Sequence, residues 1–208
     1  LGVLQAAKEL NAPVILQIAE VRLKQSPLEI IGPLMVAAAE NAKTPVAVHF
    51  DHGKTAEKIT QALDLGFTSV MFDGSHYSIE ENVAKTKEIV EIAHSKGISV
   101  EAEVGSIGGE EDGVIGKGEV ADPKECKMIA DLGVDFLAAG IGNIHGKYPE
   151  NWAGLDFDAL DAIQQETGKL PLVLHGGTGI PEEMIKKAIN LGVSKINVNT
   201  ECQLYSFY

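Results

Sequence analysis

The stretch PVAVHFDHGKTAEKITQALDLGFTSVMFDGSH, residues 45–76, decides the fold. Its apolar run from Val46 to Phe50 has the length and character of a buried strand, and so has the run from Ser69 to Phe72. Between them, residues 56–65 carry apolar side chains three and four positions apart, which is typical of a helix packed on one face. Strand, helix, strand with nearly continuous apolar strands predicts a parallel sheet covered by helices.

This unit recurs along the whole chain. A helical pattern, then Leu-Gly-Phe or Leu-Gly-Val, then an apolar run occurs at 65–67, 132–134 and 191–193. We therefore predict one α/β domain built from repeated βα units. The expected strands are residues 14–18, 46–50, 69–72, 99–104, 136–141, 171–174 and 195–198. The expected helices are residues 1–10, 27–41, 56–65, 79–96, 123–132, 157–167 and 181–191.

Polar residues follow nearly every expected strand. In a (β/α)₈ TIM barrel the chemistry collects at the carboxyl ends of many strands, whereas a doubly wound sheet concentrates it at one switch point. The distribution favours the barrel. The ionisable or glycine-rich clusters are residues 49–53, 73–76, 101–105, 143–146, 175–179 and 197–200.

The strand count falls short of a complete barrel. About seven strands are expected, and the chain opens on a helical pattern with no strand before it. A (β/α)₈ barrel has eight strands in ~250 residues. We expect residues 1–208 to be a single TIM-barrel domain truncated at both ends, lacking the first strand and the C-terminal helices.

The composition is strongly acidic. With 30 Asp+Glu against 17 Lys+Arg, the formal net charge is −13, which disfavours binding to nucleic acid or to anionic lipid. No apolar stretch approaches the ~18–20 residues of a membrane span. Cys126 and Cys202 lie far apart with no partner motif, so both are expected to be reduced. The expected location is cytoplasmic.

Three histidines at strand ends, His52, His145 and His175, each lie next to a glycine. Three imidazoles converging on one ion, with a position left open for substrate, would form a catalytic metal site. The alternative is that each histidine only caps its strand by hydrogen bonding.

Three carboxylates also allow both a functional and a purely structural interpretation. Glu101 and Glu103 share one face of their strand, because alternate residues point the same way. Facing inward with Asp73 nearby, they would form an acidic or second-metal position. Facing outward, they would be an ordinary solvated surface.

The glycines concentrate in loops after strands. Residues 105–118 are predicted to form an acidic, glycine-rich loop. Such a loop is either a mobile lid that carries a carboxylate over the substrate or a plain surface loop. Residues 176–179 and 197–200 follow the last two strands, where barrels often bind phosphate through backbone N–H groups and hydroxyls.

Six segments carry a family resemblance. They are HFDHG (49–53), VMFDGSH (70–76), VEAEVG (100–105) with GGEED (108–112), GNIHG (142–146), VLHGGTG (173–179) and KINVNTE (195–201). In this order they resemble the motifs of class II, zinc-dependent fructose-bisphosphate aldolases, a family that includes tagatose-bisphosphate aldolases. The resemblance implies a metal-dependent aldehyde-lyase of glycolysis and gluconeogenesis, which cleaves the sugar bisphosphate to dihydroxyacetone phosphate and glyceraldehyde 3-phosphate through an enediolate.

The resemblance also implies roles for individual residues. Asp51 would act as acid and base on the oxygen of the aldehyde half, and Glu111 would exchange the proton at the hydroxymethyl carbon of dihydroxyacetone phosphate. The catalytic zinc would be bound by His52, His145 and His175, with a second divalent metal position at Asp73 and Glu103.

By the same resemblance, the substrate phosphate would be bound with the help of a monovalent cation, Na⁺ or K⁺, and the enzyme would be a homodimer or homotetramer. The implied substrate-binding residues are Gly146, Gly176, Gly177, Thr178, Asn197, Val198, Asn199 and Thr200.

Three alternatives stay open at this point. Tagatose-bisphosphate aldolases often carry alanine in place of Asn199, which favours the fructose substrate here. The chain could instead be a non-catalytic sugar-phosphate-binding barrel. It could also hydrolyse its substrate with a zinc-bound water, although the usual His-x-His pair at the first strand end is absent.

Overall fold

Strands and helices alternate in the computed structural model, which describes residues 1–111, 114–116 and 118–205. The strands are β1 (Val14–Ala19), β2 (Val46–Gly53), β3 (Ser69–Phe72), β4 (Ser99–Val104), β5 (Gly108–Glu111), β6 (Val114–Gly116), β7 (Phe136–Ala139), β8 (Ile144–His145), β9 (Leu172–Leu174) and β10 (Val193–Ile196). The helices are α1 (Gly2–Leu10), α2 (Leu28–Glu40), α3 (Ala56–Asp64), α4 (Ile79–Ser95), α5 (Pro123–Ala130), α6 (Phe157–Glu166), α7 (Glu182–Asn190) and α8 (Thr200–Tyr205), with a 3-10 helix at Glu20–Lys24.

The chain divides into two compact units. The first comprises residues 1–73 and 87–101, and the second comprises residues 74–86 and the chain from Ala102 onward. Strand β4 contributes to both. Strand order is β1-β2-β3-β4 in the first unit and β4-β7-β9-β10 in the second, so the strands follow their order in the chain.

This order distinguishes the two candidate architectures. A doubly wound sheet reverses its strand order at a switch point, whereas a barrel adds each βα unit beside the preceding one. The seven strands never reverse. The α/β class, the barrel type of winding and the seven predicted strands are confirmed.

In the first unit, helix α3 shows why the sequence folds as predicted. The Thr55 hydroxyl caps the helix by accepting from the Lys58 N–H, and Gly66 follows the helix with a φ of 94°. The fully buried Ile59 lies on its inner face. Beneath it, the rings of Phe50 and Phe67 pack edge to face with centroids 6.3 Å apart.

In the second unit, the segment 105–118 differs from the expected loop. Residues 108–111 and 114–116 form β5 and β6, which pair antiparallel, and β5 also pairs parallel with β8. The four residues of β5 carry no apolar side chain, and β6 is only three residues long, which is why the apolar pattern did not predict them. Whether this segment acts as a lid stays a prediction.

None of the described helices combines the length and apolar character that crossing a membrane requires.

Candidate active site

The end of β2 carries two predicted site residues side by side. Asp51 and His52 are buried, with 4% and 9% of their surface exposed. Neighbouring residues of an extended strand face opposite sides, but His52 has a φ of 47°, in the left-handed region. Residues other than glycine held in this region concentrate at functional sites. The regular alternation of β2 therefore ends at His52.

The His52 ring is oriented by Asp73, which follows β3. His52 Nδ1 lies 2.9 Å from Asp73 Oδ2, and the Asp73 N–H donates to the Gly53 carbonyl. A proton on Nδ1 donated to this carboxylate leaves the lone pair on Nε2. Metal-binding histidines are usually held by such a contact, so the donor chemistry of this pair fits a metal ligand.

The Asp51 carboxylate has two different oxygens. Oδ2 accepts a hydrogen bond of 3.1 Å from the Gln17 amide. Oδ1 is buried, and no group within the described ranges donates a hydrogen bond to it. A buried acceptor without a donor is costly unless a ligand supplies one. Asp51 Oδ1 can therefore accept a hydrogen bond from a bound ligand.

A cluster of buried polar groups lies beside Asp51. His49 Nδ1 is 2.8 Å from Ser69 Oγ, and His49 Nε2 is 3.3 Å from Glu101 Oε2 and 3.8 Å from Asp51 Oδ1. The ligand atoms of His49, Asp51 and Glu101 lie within 4.8 Å of one another, so this group could also hold a metal ion.

In the second unit, His145 and His175 lie together. Their rings are edge to face with centroids 5.8 Å apart. The Asn143 amide donates to the His175 carbonyl at 3.0 Å, while its Oδ1 accepts from the Ile141 N–H at 2.9 Å. Asn143 is 1% exposed, so both of these bonds are shielded from water. Two predicted zinc ligands from different strand ends are therefore neighbours.

The Tyr148 hydroxyl makes hydrogen bonds to backbone groups at or near the ends of both β8 and β9. Its hydroxyl donates to the Gly176 carbonyl at 2.9 Å and accepts from the Ile144 N–H at 3.1 Å. Burial raises the pKa of the Tyr148 hydroxyl, and the hydrogen bond from Ile144 opposes that shift. The phenol stays protonated, as its bond to Gly176 requires.

Close backbone approach accounts for the glycines beside these histidines. A Cβ on Gly176, whose φ is 66°, would overlap the Ile144 carbonyl oxygen, and one on Gly109 would overlap the His145 carbonyl oxygen. The glycines let β8 lie against its neighbours.

The predicted phosphate-binding residues contain two buried polar atoms. Thr178 Oγ1 and Asn197 Oδ1 have no hydrogen-bond partner within the part of the chain that the structure describes. The Gly177 N–H donates to the Asn197 carbonyl at 2.8 Å, which brings the two loops together. Val198 and Asn199 are exposed, and Asn199 Oδ1 accepts from the Gln203 amide.

Among the other carboxylates predicted for the site, the structure describes the side chains of Glu101 and Glu103 but not that of Glu111. Glu101 and Glu103 are 0% and 2% exposed, which excludes the solvated face that the sequence left open. The side chain of Glu111 lies outside the described residues.

Sequence reasoning assigned no role to Gln17, Tyr148 or Ser69. Gln17 is the polar residue within the otherwise apolar strand VILQIA, a signal that could have singled it out. Nothing local distinguishes Tyr148 or Ser69, because the contact of Tyr148 with Gly176 joins residues 28 positions apart and that of Ser69 with His49 joins residues 20 positions apart.

Comparison with known proteins gives consistent matches. The family model for Fructose-bisphosphate aldolase class-II matches residues 1–207. A fructose-bisphosphate aldolase of Mycoplasma genitalium is 55% identical over 206 residues, covering 98% of this chain and 71% of the relative. One of Streptococcus pyogenes serotype M6 is 51% identical, with 98% and 70% covered.

The chain is also similar to solved structures of aldolases. The YdjI aldolase of Escherichia coli K12 superposes with a TM-score of 0.86 at 36% identity, covering 99% of this chain and 73% of that one. The fructose-bisphosphate aldolase of Campylobacter jejuni gives 0.73 at 27% identity, with 97% and 69% covered.

Proposed function

The chain belongs to the class II fructose-bisphosphate aldolase family, and from this membership we propose that it catalyses the reversible cleavage of fructose 1,6-bisphosphate to dihydroxyacetone phosphate and glyceraldehyde 3-phosphate. The observation that carries the proposal is the arrangement of Asp51 and His52 at the end of β2. There the buried Asp51 carboxylate, one of whose oxygens receives no hydrogen bond from the described part of the chain, adjoins His52, whose Nδ1 contacts Asp73.

A divalent metal, proposed to be zinc, would be held by His52, His145 and His175. When bound, it would supply Lewis-acid stabilisation of the negative charge left by cleavage. The contact between His52 and Asp73 and the pairing of His145 with His175 support these ligands. Imidazole nitrogens are ligands that zinc commonly takes.

Asp51 is proposed to act on the aldehyde half. As the C3–C4 bond breaks, Oδ1 takes the proton of the C4 hydroxyl, and the O–H electron pair becomes the second bond of the new carbonyl. The bonding pair between C3 and C4 passes to C3. Burial suits this role, because few waters can compete for the same oxygen.

Glu111 is proposed to return a proton to C3, which completes dihydroxyacetone phosphate. In the reverse direction it removes that proton before carbon–carbon bond formation. Its partner Val114 in the β5–β6 ladder sets the position of the Glu111 backbone. The assignment comes from the family motif Gly108-Gly109-Glu110-Glu111-Asp112.

The ketose phosphate is proposed to bind between the loops after β9 and β10. Among the residues that the structure describes, the Thr178 hydroxyl and the Asn197 amide oxygen have no hydrogen-bond partner, which supports this assignment. The Thr178 hydroxyl can donate to a phosphate oxygen, while the Asn197 oxygen, an acceptor only, suits the monovalent cation or a substrate hydroxyl. Gly146, Gly176, Gly177, Val198, Asn199 and Thr200 complete the proposed set.

Chelation tests the proposal. Purified protein should cleave fructose 1,6-bisphosphate, lose that activity with EDTA and regain it with zinc. Activity that survives EDTA but is trapped by borohydride would identify a Schiff-base mechanism instead and refute the metal assignment.

Two further outcomes are informative. A higher kcat/KM on tagatose 1,6-bisphosphate would reassign the substrate to the C4 epimer. Metal and substrate binding without turnover would show a non-catalytic barrel. The cytoplasmic location, the homo-oligomeric state, the second metal at Asp73 and Glu103 and the Na⁺ or K⁺ ion remain predictions.

A further inference from the structure

His49 is a fully buried polar residue that the proposed chemistry does not use. Burying an imidazole is costly unless its nitrogens meet polar partners. Nδ1 lies within hydrogen-bond distance of Ser69 Oγ, at 2.8 Å, and Nε2 makes a polar contact of 3.3 Å with Glu101 Oε2 whose geometry is not that of a hydrogen bond. The ring therefore has polar groups on two sides.

The backbone explains this arrangement. His49 is paired with Ser69 across the parallel β2–β3 ladder, which brings the hydroxyl to the ring. His49 and Asp51 are two residues apart on β2 and so share a face. The His49 ring therefore lies on the same side of β2 as the Asp51 carboxylate.

The distances define how His49 lies relative to Asp51. Nε2 lies 3.8 Å from Asp51 Oδ1, which is beyond hydrogen-bond range. Of the two carboxylates, Glu101 lies nearer to Nε2, at 3.3 Å. Oδ1 therefore keeps its lone pairs, while Gln17 holds Oδ2.

We propose that His49 is a positioning residue for Asp51, and that Glu101 is its partner. With Gln17 on the other oxygen, the His49–Glu101 pair orients the carboxylate and leaves Oδ1 available for the C4 hydroxyl. This inference rests on the proposed aldolase function and adds a residue that touches neither substrate nor metal.

The test exploits two half-reactions. Cleavage uses Asp51, whereas exchange of the hydroxymethyl proton of dihydroxyacetone phosphate in D₂O involves no C4 hydroxyl and does not require Asp51. In His49→Leu, kcat for cleavage should fall roughly 10- to 100-fold, the scale of a misplaced catalytic group. KM, the exchange rate followed by NMR and the bound zinc should stay within about threefold of the wild type.

Two milder variants cover the case in which His49→Leu does not fold. His49→Gln places an amide near the position of Nε2 and should retain more cleavage than His49→Leu. Ser69→Ala removes only the group at Nδ1 and should reduce cleavage while sparing exchange. His94→Leu, on the exposed end of α4, is the matched control and should match the wild type in both reactions.

Several outcomes would overturn the inference. Equal losses of cleavage and exchange would mean a general structural role. A selective rise in KM would mean substrate binding, and loss of one of two bound metal ions in His49→Leu would mean that His49 is a metal ligand. If the wild type itself performs neither reaction, the proposed function fails, and the inference that rests on it fails with it.

Discussion

Replacing Asp73 tests the orientation of His52. The contact between Asp73 Oδ2 and His52 Nδ1 spans 2.9 Å, and the side chains are 11% and 13% exposed for His52 and Asp73. A hydrogen bond to a charged group in such a place contributes about 1.5–3 kcal/mol. Since 1.4 kcal/mol corresponds to tenfold in affinity, Asp73→Ala should weaken zinc binding about 10- to 100-fold, the range seen when the group that supports a metal-binding histidine is removed.

Asp73→Asn refines this expectation. The amide oxygen can still accept from Nδ1, but the bond is no longer charge-assisted, and such bonds are about twice as strong as neutral ones. Roughly half of the free energy should be lost, so the dissociation constant should rise about 3- to 10-fold. The graded order of wild type, Asn and Ala is the specific signature.

The measurement is a titration of zinc against a chromophoric chelator on apoprotein. Asp64→Asn is the matched control, because Asp64 is an exposed carboxylate of the same unit that pairs with Lys96. Its dissociation constant should equal the wild-type value. Two results would refute the reasoning: zinc affinity within twofold of the wild type in both Asp73 variants, or loss of a second zinc equivalent with the tight site unchanged.

Further predictions concern other residues. Asp51→Asn should lower kcat for cleavage about 10²- to 10⁴-fold, the usual contribution of a general acid–base group, with zinc content unchanged; near-normal turnover would contradict the role of Oδ1. Tyr148→Phe removes the hydroxyl between two strand ends and should lower stability by about 1–3 kcal/mol, or roughly 2–4 °C in Tm per kcal/mol, measured by calorimetry with Tyr77→Phe as control; an unchanged Tm would show that the bridge contributes nothing. Burial raises the pKa of the Cys126 thiol to about 12, so at pH 8 it stays protonated. A thiol reagent should therefore modify one cysteine, the exposed Cys202, in the native protein and both after denaturation; rapid modification of two would contradict the burial.

Most of the architecture could be predicted from local patterns. The strand at 69–72 was located to the residue, and α3 ends one residue before its expected end. These elements combine a strong apolar period with clear punctuation, such as Thr55 before α3 and Gly66 after it. Strands β5, β6 and β8 were missed because they are short, and β5 consists of glycine and glutamate alone.

For the candidate site, too, one part could be predicted from the sequence and another part could not. Which histidines and carboxylates follow the strands can be seen in the sequence, since parallel strands bring their carboxyl ends to one edge. Which carboxylate contacts which histidine cannot, because that depends on register between strands. The sequence left Glu101 and Glu103 equally able to face inward or outward, and only their burial decided between these alternatives.

By itself, the sequence determined the α/β class, the order of the βα units and the set of ionisable residues at strand ends, because apolar period and turn residues act over a few neighbouring positions. Only the tertiary structure decided that Asp73 orients His52, that His49 faces Glu101 and that Gln17 holds one oxygen of Asp51. The physical reason is distance along the chain. These contacts join residues 21, 52 and 34 positions apart (73 − 52, 101 − 49 and 51 − 17). Such pairs meet only after strand packing has set the register, and a shift of one residue would turn each side chain to the opposite face.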